Sequence, residues 1–136
     1  MPAKKVLFIC NHNAARSQMA EGYVRAVYGS RYRVWSAGIR ASSVSRYAIA
    51  VMQEIGIDIA SQQSKSLEAL YGIEMDLVIV LCENSPGVYP LFPWTKECIY
   101  ARFSDPGGFT GKEEEIWHQF RLLQEEITAW IDTCLG

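Results

Sequence analysis

A chain of 136 residues is the size of one ordinary domain, long enough to bury a single core and too short for two comfortable ones. Its net charge of −2 is spread along the sequence and its hydrophobic fraction of 49% is that of a globular protein, so neither a nucleic-acid surface nor a membrane surface is expected. No apolar run approaches the ~20 residues of a membrane span, and the stretch after Lys4-Lys5 is too brief for a secretory signal, so a cytoplasmic protein is expected.

Lys4 to Ile9 ends in Val-Leu-Phe-Ile, a continuous apolar run that predicts a strand buried on both faces and hence a parallel sheet. From Ser17 the period changes: Met19, Ala20, Tyr23, Val24 and Val27 recur at helical spacing until Gly29 offers a stop. Tyr32 to Ser36 predicts a second strand, Val44 to Ile55 a helix stopped at Gly56, and Ser64 to Tyr71 a shorter helix. Met75 to Leu81 is the third strand, with Cys82 at its end. Residues 83–96 carry Asn-Ser-Pro-Gly, Pro90 and Pro93 without a period and predict an irregular surface loop. Glu97 to Ala101 is a fourth strand, followed by the turn-rich Ser104-Asp105-Pro106-Gly107-Gly108. A final helix starts near Lys112, with Glu113, Glu114 and Glu115 at its positive end and an inner stripe of Ile116, Phe120, Leu123, Ile127, Trp130 or Ile131, and Cys134. Strands alternating with helices predict a single doubly wound α/β domain, whose ligands bind beyond the carboxyl ends of the strands. Cys10, Cys82 and Asp105 all follow predicted strands, so one sheet edge gathers all three.

The four cysteines, Cys10, Cys82, Cys98 and Cys134, contain no Cys-x-x-Cys pair and too few neighbouring histidines for structural zinc. In a reducing compartment they rest as thiols. Cys10 opens the segment Cys10-Asn11-His12-Asn13-Ala14-Ala15-Arg16-Ser17, set between a buried strand and a helix. A short loop in that position can turn several backbone N–H groups inward, and the positive end of the helix adds to the same field. Arg16 completes the cradle with a planar fork that matches two oxygens of a tetrahedral oxyanion. A thiol in such a field ionises readily, since helix termini and cations bring cysteine pKa values from about 8.5 into the range of roughly 3.5–7.5. Cys10 is therefore expected to be a thiolate, with the Ser17 hydroxyl placed to hydrogen-bond it. The oxyanion would sit against Asn11, His12, Asn13, Ala14, Ala15 and Arg16.

With Ser17-Gln18-Met19-Ala20-Glu21-Gly22, Ser36-Ala37-Gly38, the Cys82 strand end and Asp105-Pro106, this loop resembles the low-molecular-weight protein tyrosine phosphatase superfamily, and within it the arsenate reductases. The resemblance implies a four-stranded parallel sheet in the order 2-1-3-4 with helices on both faces. It also implies roles: Cys10 nucleophile, Arg16 oxyanion clamp, Ser17 thiolate support, Asn13 loop organiser and Asp105 general acid. Glu21 and Ser36 match positions that hold potassium in some relatives. Lys65 stands near another such position, where its ammonium could replace the ion, so no metal and no bound cofactor are expected. His12 is often glycine in relatives, and Ala15 stands where many have cysteine. His118 and Cys134 are read as helix residues without chemistry.

The resemblance makes arsenate reduction the leading expectation, with hydrolysis of a phosphotyrosine or other aryl phosphate as the alternative, and both begin with attack by Cys10 while Asp105 protonates the departing oxygen. A reductase needs a second thiol to release arsenite, and Cys82 is the one well placed. Neighbouring strands run about 4.8 Å apart and a disulfide spans Cα atoms roughly 4.4–6.8 Å apart, so a Cys10–Cys82 bond is geometrically reasonable if strands one and three pair. In thioredoxin-coupled relatives a third cysteine follows seven residues after the second. Here Tyr89 stands at that position, followed by the matching Pro90. The reductant is then thioredoxin, glutaredoxin or a low-mass thiol acting on Cys10–Cys82, or Cys98 replaces the missing cysteine. The Gly-Gly-Phe after Asp105-Pro106 lacks the paired tyrosines of the phosphatase branch, while Tyr89, Phe92 and Trp94 could wall an aromatic pocket. A monomer is expected, with a small oxyanion such as arsenate or phosphate as ligand.

Overall fold

Val6 to Cys10 is shut off from solvent on both faces because it runs through the middle of a parallel sheet. In the computed structural model, which describes residues 3–81 and 95–136, β1 (Lys4–Cys10) lies between β2 (Tyr32–Gly38) and β3 (Leu77–Val80). Strand β4 (Glu97–Tyr100) flanks β3, so the order is β2-β1-β3-β4, as the resemblance implied. The register runs from Lys4 opposite Tyr32 to Cys10 opposite Gly38, and from Val6 opposite Leu77 to Ile9 opposite Val80. The carboxyl ends of β1 and β2 thereby finish side by side.

Alternation along the strands divides the core. Val6, Phe8, Leu77 and Ile79 face α1 (Arg16–Tyr28), α2 (Arg46–Gln53) and α3 (Glu113–Leu135), which contribute Met19, Val24, Val51, Met52, Phe120, Leu123 and Ile127. Leu7, Ile9, Val78 and Val80 face the other way, onto a 3₁₀ turn at Leu67–Leu70 with Met75 and Trp35. Each fully buried large side chain, Phe8 among them, contributes about 1.5–3 kcal/mol relative to exposure.

Several boundaries differ from the sequence expectation, each for a visible reason. The predicted helix over 64–71 shrinks to that 3₁₀ turn, because its first residues run extended against β2. Ser66 bridges Gly38, and Gly38 N–H donates to the Lys65 carbonyl at 2.8 Å. Helix α2 starts at Arg46 instead of Val44, since the Ser45 hydroxyl caps it by accepting from the Ala48 amide. Strand β3 is confined to Leu77–Val80, although Leu81 N–H still donates to the Ile9 carbonyl at 2.8 Å. On α3 the inner stripe passes through Phe120, Leu123, Ile127 and Ile131 and ends on Leu135, leaving Cys134 exposed and Trp130 only partly covered. The expected loop over 83–96 falls outside the described residues except for Thr95 and Lys96. Among the described residues no helix is long and apolar enough to cross a membrane.

Candidate active site

Residues 11–15 connect β1 to α1, and the carbonyls around this turn are all held from outside. Those of Cys10 and Asn11 accept from the amides of Ile39 and Arg40 at 3.2 and 3.0 Å. The His12 carbonyl accepts from the hydroxyls of Ser42 and Ser64 at 3.2 and 3.0 Å. That of Asn13 accepts from Gln18 Nε2 at 3.0 Å, that of Ala14 from Ser45 N–H at 2.8 Å, and that of Ala15 from Met19 N–H at 2.9 Å. A peptide whose carbonyl faces outward turns its amide the other way. Among the described residues no amide from Asn11 to Arg16 donates to another protein group, which leaves that set free for an anion.

Two residues make this curl possible. Asn13 has a φ of 50°, the left-handed region that asparagine tolerates better than most residues. Its side chain is fully buried behind the loop with both ends engaged. Oδ1 accepts from Lys65 N–H at 2.7 Å and Gln18 Nε2 at 2.8 Å, while Nδ2 donates to Ser17 Oγ at 2.8 Å and Ser36 Oγ at 2.9 Å. Gly38 supplies room: a Cβ there would stand 2.6 Å from the Asn13 nitrogen and 2.8 Å from the Arg40 oxygen.

Cys10 ends β1 at the floor of the cradle, buried, with Sγ 2.8 Å from Ser17 Oγ. Ser17 already accepts from Asn13, so its hydroxyl hydrogen is available to the sulfur. Arg16 is buried to 4% exposure, donates from Nη1 to the Phe103 carbonyl at 3.3 Å and lies 3.7 Å from the Asp105 carboxylate. Asp105 is 60% exposed, so this contact is weakly held and the carboxylate is free to move onto a ligand. Its Oδ1 also accepts from Gly107 N–H at 2.9 Å, which caps the short turn Pro106–Gly108 and aims the carboxyl. A cavity of about 290 Å³ unites these groups, lined by Cys10, His12, Ala14, Ala15, Arg16, Ser42, Ser45, Asp105, Pro106, Gly107 and Phe120.

The structure therefore brings together Cys10, Arg16, Ser17, Asp105 and the loop, with His12 exposed on the rim. The side chain of Asn13 faces away from the cavity, so only its backbone is placed toward a ligand. Cys82, together with Tyr89, Phe92 and Trp94, lies outside the described residues. Cys98 sits on β4, packed against the second core cluster, where burial pushes its thiol up. Cys134 lines a separate hollow with Lys4 and Asp76 at the opposite sheet edge from Cys10. His118 is exposed on α3. Behind the loop, buried Glu21 accepts from Ser36 Oγ at 2.5 Å and Arg25 Nη2 at 2.7 Å, with Lys65 Nζ 3.7 Å away. Among the described residues no cluster of His, Cys, Asp or Glu side chains could hold a metal ion.

Ser42, Ser45, Ser64 and Gln18, which hold the loop carbonyls, were not singled out from the sequence. Serines in turns carry no periodic signal. A buried glutamine inside a helix does leave one: Gln18 sits on the face of α1 that also carries Ser17 and Glu21, all three at 4% exposure or less.

Comparison with known proteins agrees with this geometry. Residues 5–99 match the family model described as low molecular weight phosphotyrosine protein phosphatase. An arsenate reductase of Halalkalibacterium halodurans is 40% identical over 133 residues, covering 98% of this chain and 96% of that one. A solved arsenate reductase in its phosphate binding state superposes with a TM-score of 0.82 at 32% identity, covering 96% and 95% of the two chains. A low molecular weight protein tyrosine phosphatase from T. tengcongensis superposes with a TM-score of 0.78 at 28% identity and 98% coverage of both. The chain belongs to the low molecular weight phosphotyrosine protein phosphatase family and is an enzyme of its arsenate reductase and phosphatase type.

Proposed function

We propose that the chain reduces arsenate to arsenite with Cys10 as nucleophile. The observation that carries this reading is the outward set of loop carbonyls around a buried sulfur, which leaves amides, Arg16 and the start of α1 to receive an oxyanion directly over Sγ. Arsenate binds in that cradle, its oxygens taking the amides of Asn11 to Ala15 and the Arg16 fork. The Cys10 thiolate attacks arsenic while Asp105 gives its proton to the leaving oxygen, which departs as water. A Cys10 sulfur–arsenic bond has formed and one arsenic–oxygen bond has broken. The Cys82 thiolate then attacks Cys10 sulfur; the sulfur–arsenic pair of electrons returns to arsenic, arsenite leaves and a Cys10–Cys82 disulfide remains. An external dithiol such as thioredoxin or glutaredoxin, or two low-mass thiols, supplies the two electrons that restore the enzyme. Ser17 steadies the thiolate at the start and improves Cys10 as the group under attack at the end.

The alternative, an aryl phosphatase in which water hydrolyses a Cys10 phosphocysteine, shares every residue except Cys82. Two features favour the reductase. A cavity of about 290 Å³ among the described residues lies at the small end for organic ligands, and Phe109, which follows Asp105-Pro106-Gly107-Gly108, turns inward onto Phe120 with ring centroids 5.4 Å apart. We also read the Lys65 ammonium beside Glu21 as taking the place of a potassium ion, so that the cytoplasmic, monomeric enzyme works without a bound metal.

Arsenite formation that requires added thiol, and that Cys82→Ser abolishes while sparing slow aryl-phosphate hydrolysis, is the expected result. Equal arsenate reduction by the variant rules out Cys82 as resolver, and efficient hydrolysis without reduction selects the phosphatase.

A further inference from the structure

Ser17 can steady a thiolate only if its hydroxyl hydrogen points at sulfur, and behind the loop lies a relay of side-chain amides, Asn13 and Gln18 buried and Gln62 half-buried, that bears on this direction. Arg25 Nη1 donates to Gln62 Oε1 at 3.0 Å, and a guanidinium has no lone pair with which to accept. The Gln62 amide is therefore oriented, and its Nε2 donates to Gln18 Oε1 at 2.8 Å and to the Gln18 carbonyl at 3.0 Å. That orients Gln18, which is fully buried and whose Nε2 faces three acceptors: Asn13 Oδ1 at 2.8 Å, the Asn13 carbonyl at 3.0 Å and the Gln63 carbonyl at 3.0 Å. Asn13 Oδ1, so engaged together with Lys65 N–H, leaves Nδ2 to donate to Ser17 Oγ at 2.8 Å, and Ser17 Oγ is 2.8 Å from Cys10 Sγ. Every amide accepts on the side of Arg25 and donates on the side of Cys10. The chain begins at a group that can only donate and ends at a sulfur that, once ionised, can only accept.

We propose that Gln18, with Gln62 and Arg25 behind it, is a positioning residue that sets the donor direction of Asn13 and Ser17 and so keeps Cys10 in its ionised form. Gln18 touches neither the cavity nor the sulfur. It acts through Asn13, and it also holds the Asn13 carbonyl outward so that the loop stays curled. This rests on Cys10 being the ionised nucleophile, as in the proposed function.

The test is titration of Cys10 itself, by thiolate absorbance and by the rate of iodoacetamide alkylation read at the Cys10 peptide, with no substrate present. Gln62→Glu keeps the shape and keeps a partner for Arg25, but replaces the donor to Gln18 by an acceptor. Gln18→Met removes the three donations at nearly constant volume. Both are expected to raise the Cys10 titration midpoint by about half a unit to one unit, roughly three- to tenfold less thiolate at a pH below it. In a Ser17→Ala background the same changes are expected to shift the midpoint clearly less, since only the hold on the Asn13 carbonyl remains. A folded Gln62→Glu protein with an unshifted midpoint overturns the proposal even if Gln18→Met fails to fold, as does a shift of equal size in the Ser17→Ala background. A wild-type Cys10 that titrates as a free thiol overturns the nucleophile reading as well. A depressed wild-type midpoint that neither variant moves overturns only the role of Gln18.

Discussion

At the scale of single residues, the cradle is held in shape by groups that never meet a ligand. Gly38 is the sharpest case, because a methyl group there would press on the Asn13 nitrogen, itself part of the anion-facing set. Gly38→Ala is expected to lower stability by about 1–3 kcal/mol, as overpacking usually does, and to weaken phosphate binding more than unfolding accounts for; thermal melts beside phosphate titrations by calorimetry check this. Lys65 offers a second residue-scale test. If its ammonium stands in for potassium beside Glu21, wild-type melting and activity are indifferent to exchange of sodium for potassium, whereas Lys65→Ala becomes less stable and gains a dependence on potassium. Asp105→Asn is expected to slow the first chemical step by roughly 10²–10⁴-fold while leaving phosphate affinity nearly unchanged, measured as single-turnover arsenite release.

At the scale of elements, α1 is held between the site and α3, and its contacts titrate. Tyr23 and Tyr28 on α1 both donate to the Asp132 carboxylate on α3, at 2.8 and 2.6 Å. Burial, then the hydrogen bond and charge of Asp132, push Tyr23 up to about 12. Because the folded value lies above that of a free tyrosine, the stabilisation is complete below about pH 10 and is lost as pH rises toward the folded value. Tyr23→Phe should reduce that alkaline loss, with Tyr28, held up first by its own hydrogen bond to Asp132, supplying the remainder, as followed by chemical denaturation across pH 9–12. The acid side involves Asp76, held below its ordinary value first by the Lys5 amide, at 2.8 Å, and then by the Lys96 ammonium. Its contribution is present above about pH 4 and disappears as pH falls through the depressed value, so Asp76→Asn should flatten the acid limb of the stability curve.

At the scale of the molecule, the parallel sheet places the ends of β1 and β2 together and leaves what lies beyond them, among the described residues, to the loops 11–15, 39–45, 63–66 and 101–107. The fold was legible because β1 and β3 are unbroken apolar runs and α1 shows a clear change of period. The gathering of Cys10, Arg16, Ser17 and Asp105 was legible because a cysteine ending a buried strand, an arginine and serine opening the next helix and an aspartate in the turn after the last strand all fall at the carboxyl end of the sheet. The segment 64–66 was misread because its pattern fits a short helix, whereas its backbone is drawn out along β2 to reach Asn13, a demand that appears only when the sheet is assembled. Cys134 was misplaced because the α3 stripe drifts around the helix and ends on Leu135. Ser42 and Ser64 were invisible for a related reason, and Gln18, although part of the helix motif that carries the resemblance, showed no role of its own, since their partners lie on the anion loop and only tertiary packing brings them together.

The proposed chemistry depends first on an ionised Cys10 beneath an oxyanion-shaped set of amides. Its most direct test is alkylation of the intact protein by iodoacetamide across pH 4–10, with and without inorganic phosphate, each cysteine read separately by peptide mass spectrometry. Cys10 is expected to react at lower pH than exposed Cys134 and to be protected by phosphate, a property Cys134 lacks. A Cys10 that reacts only in step with Cys134, and that phosphate leaves unprotected, would contradict the account.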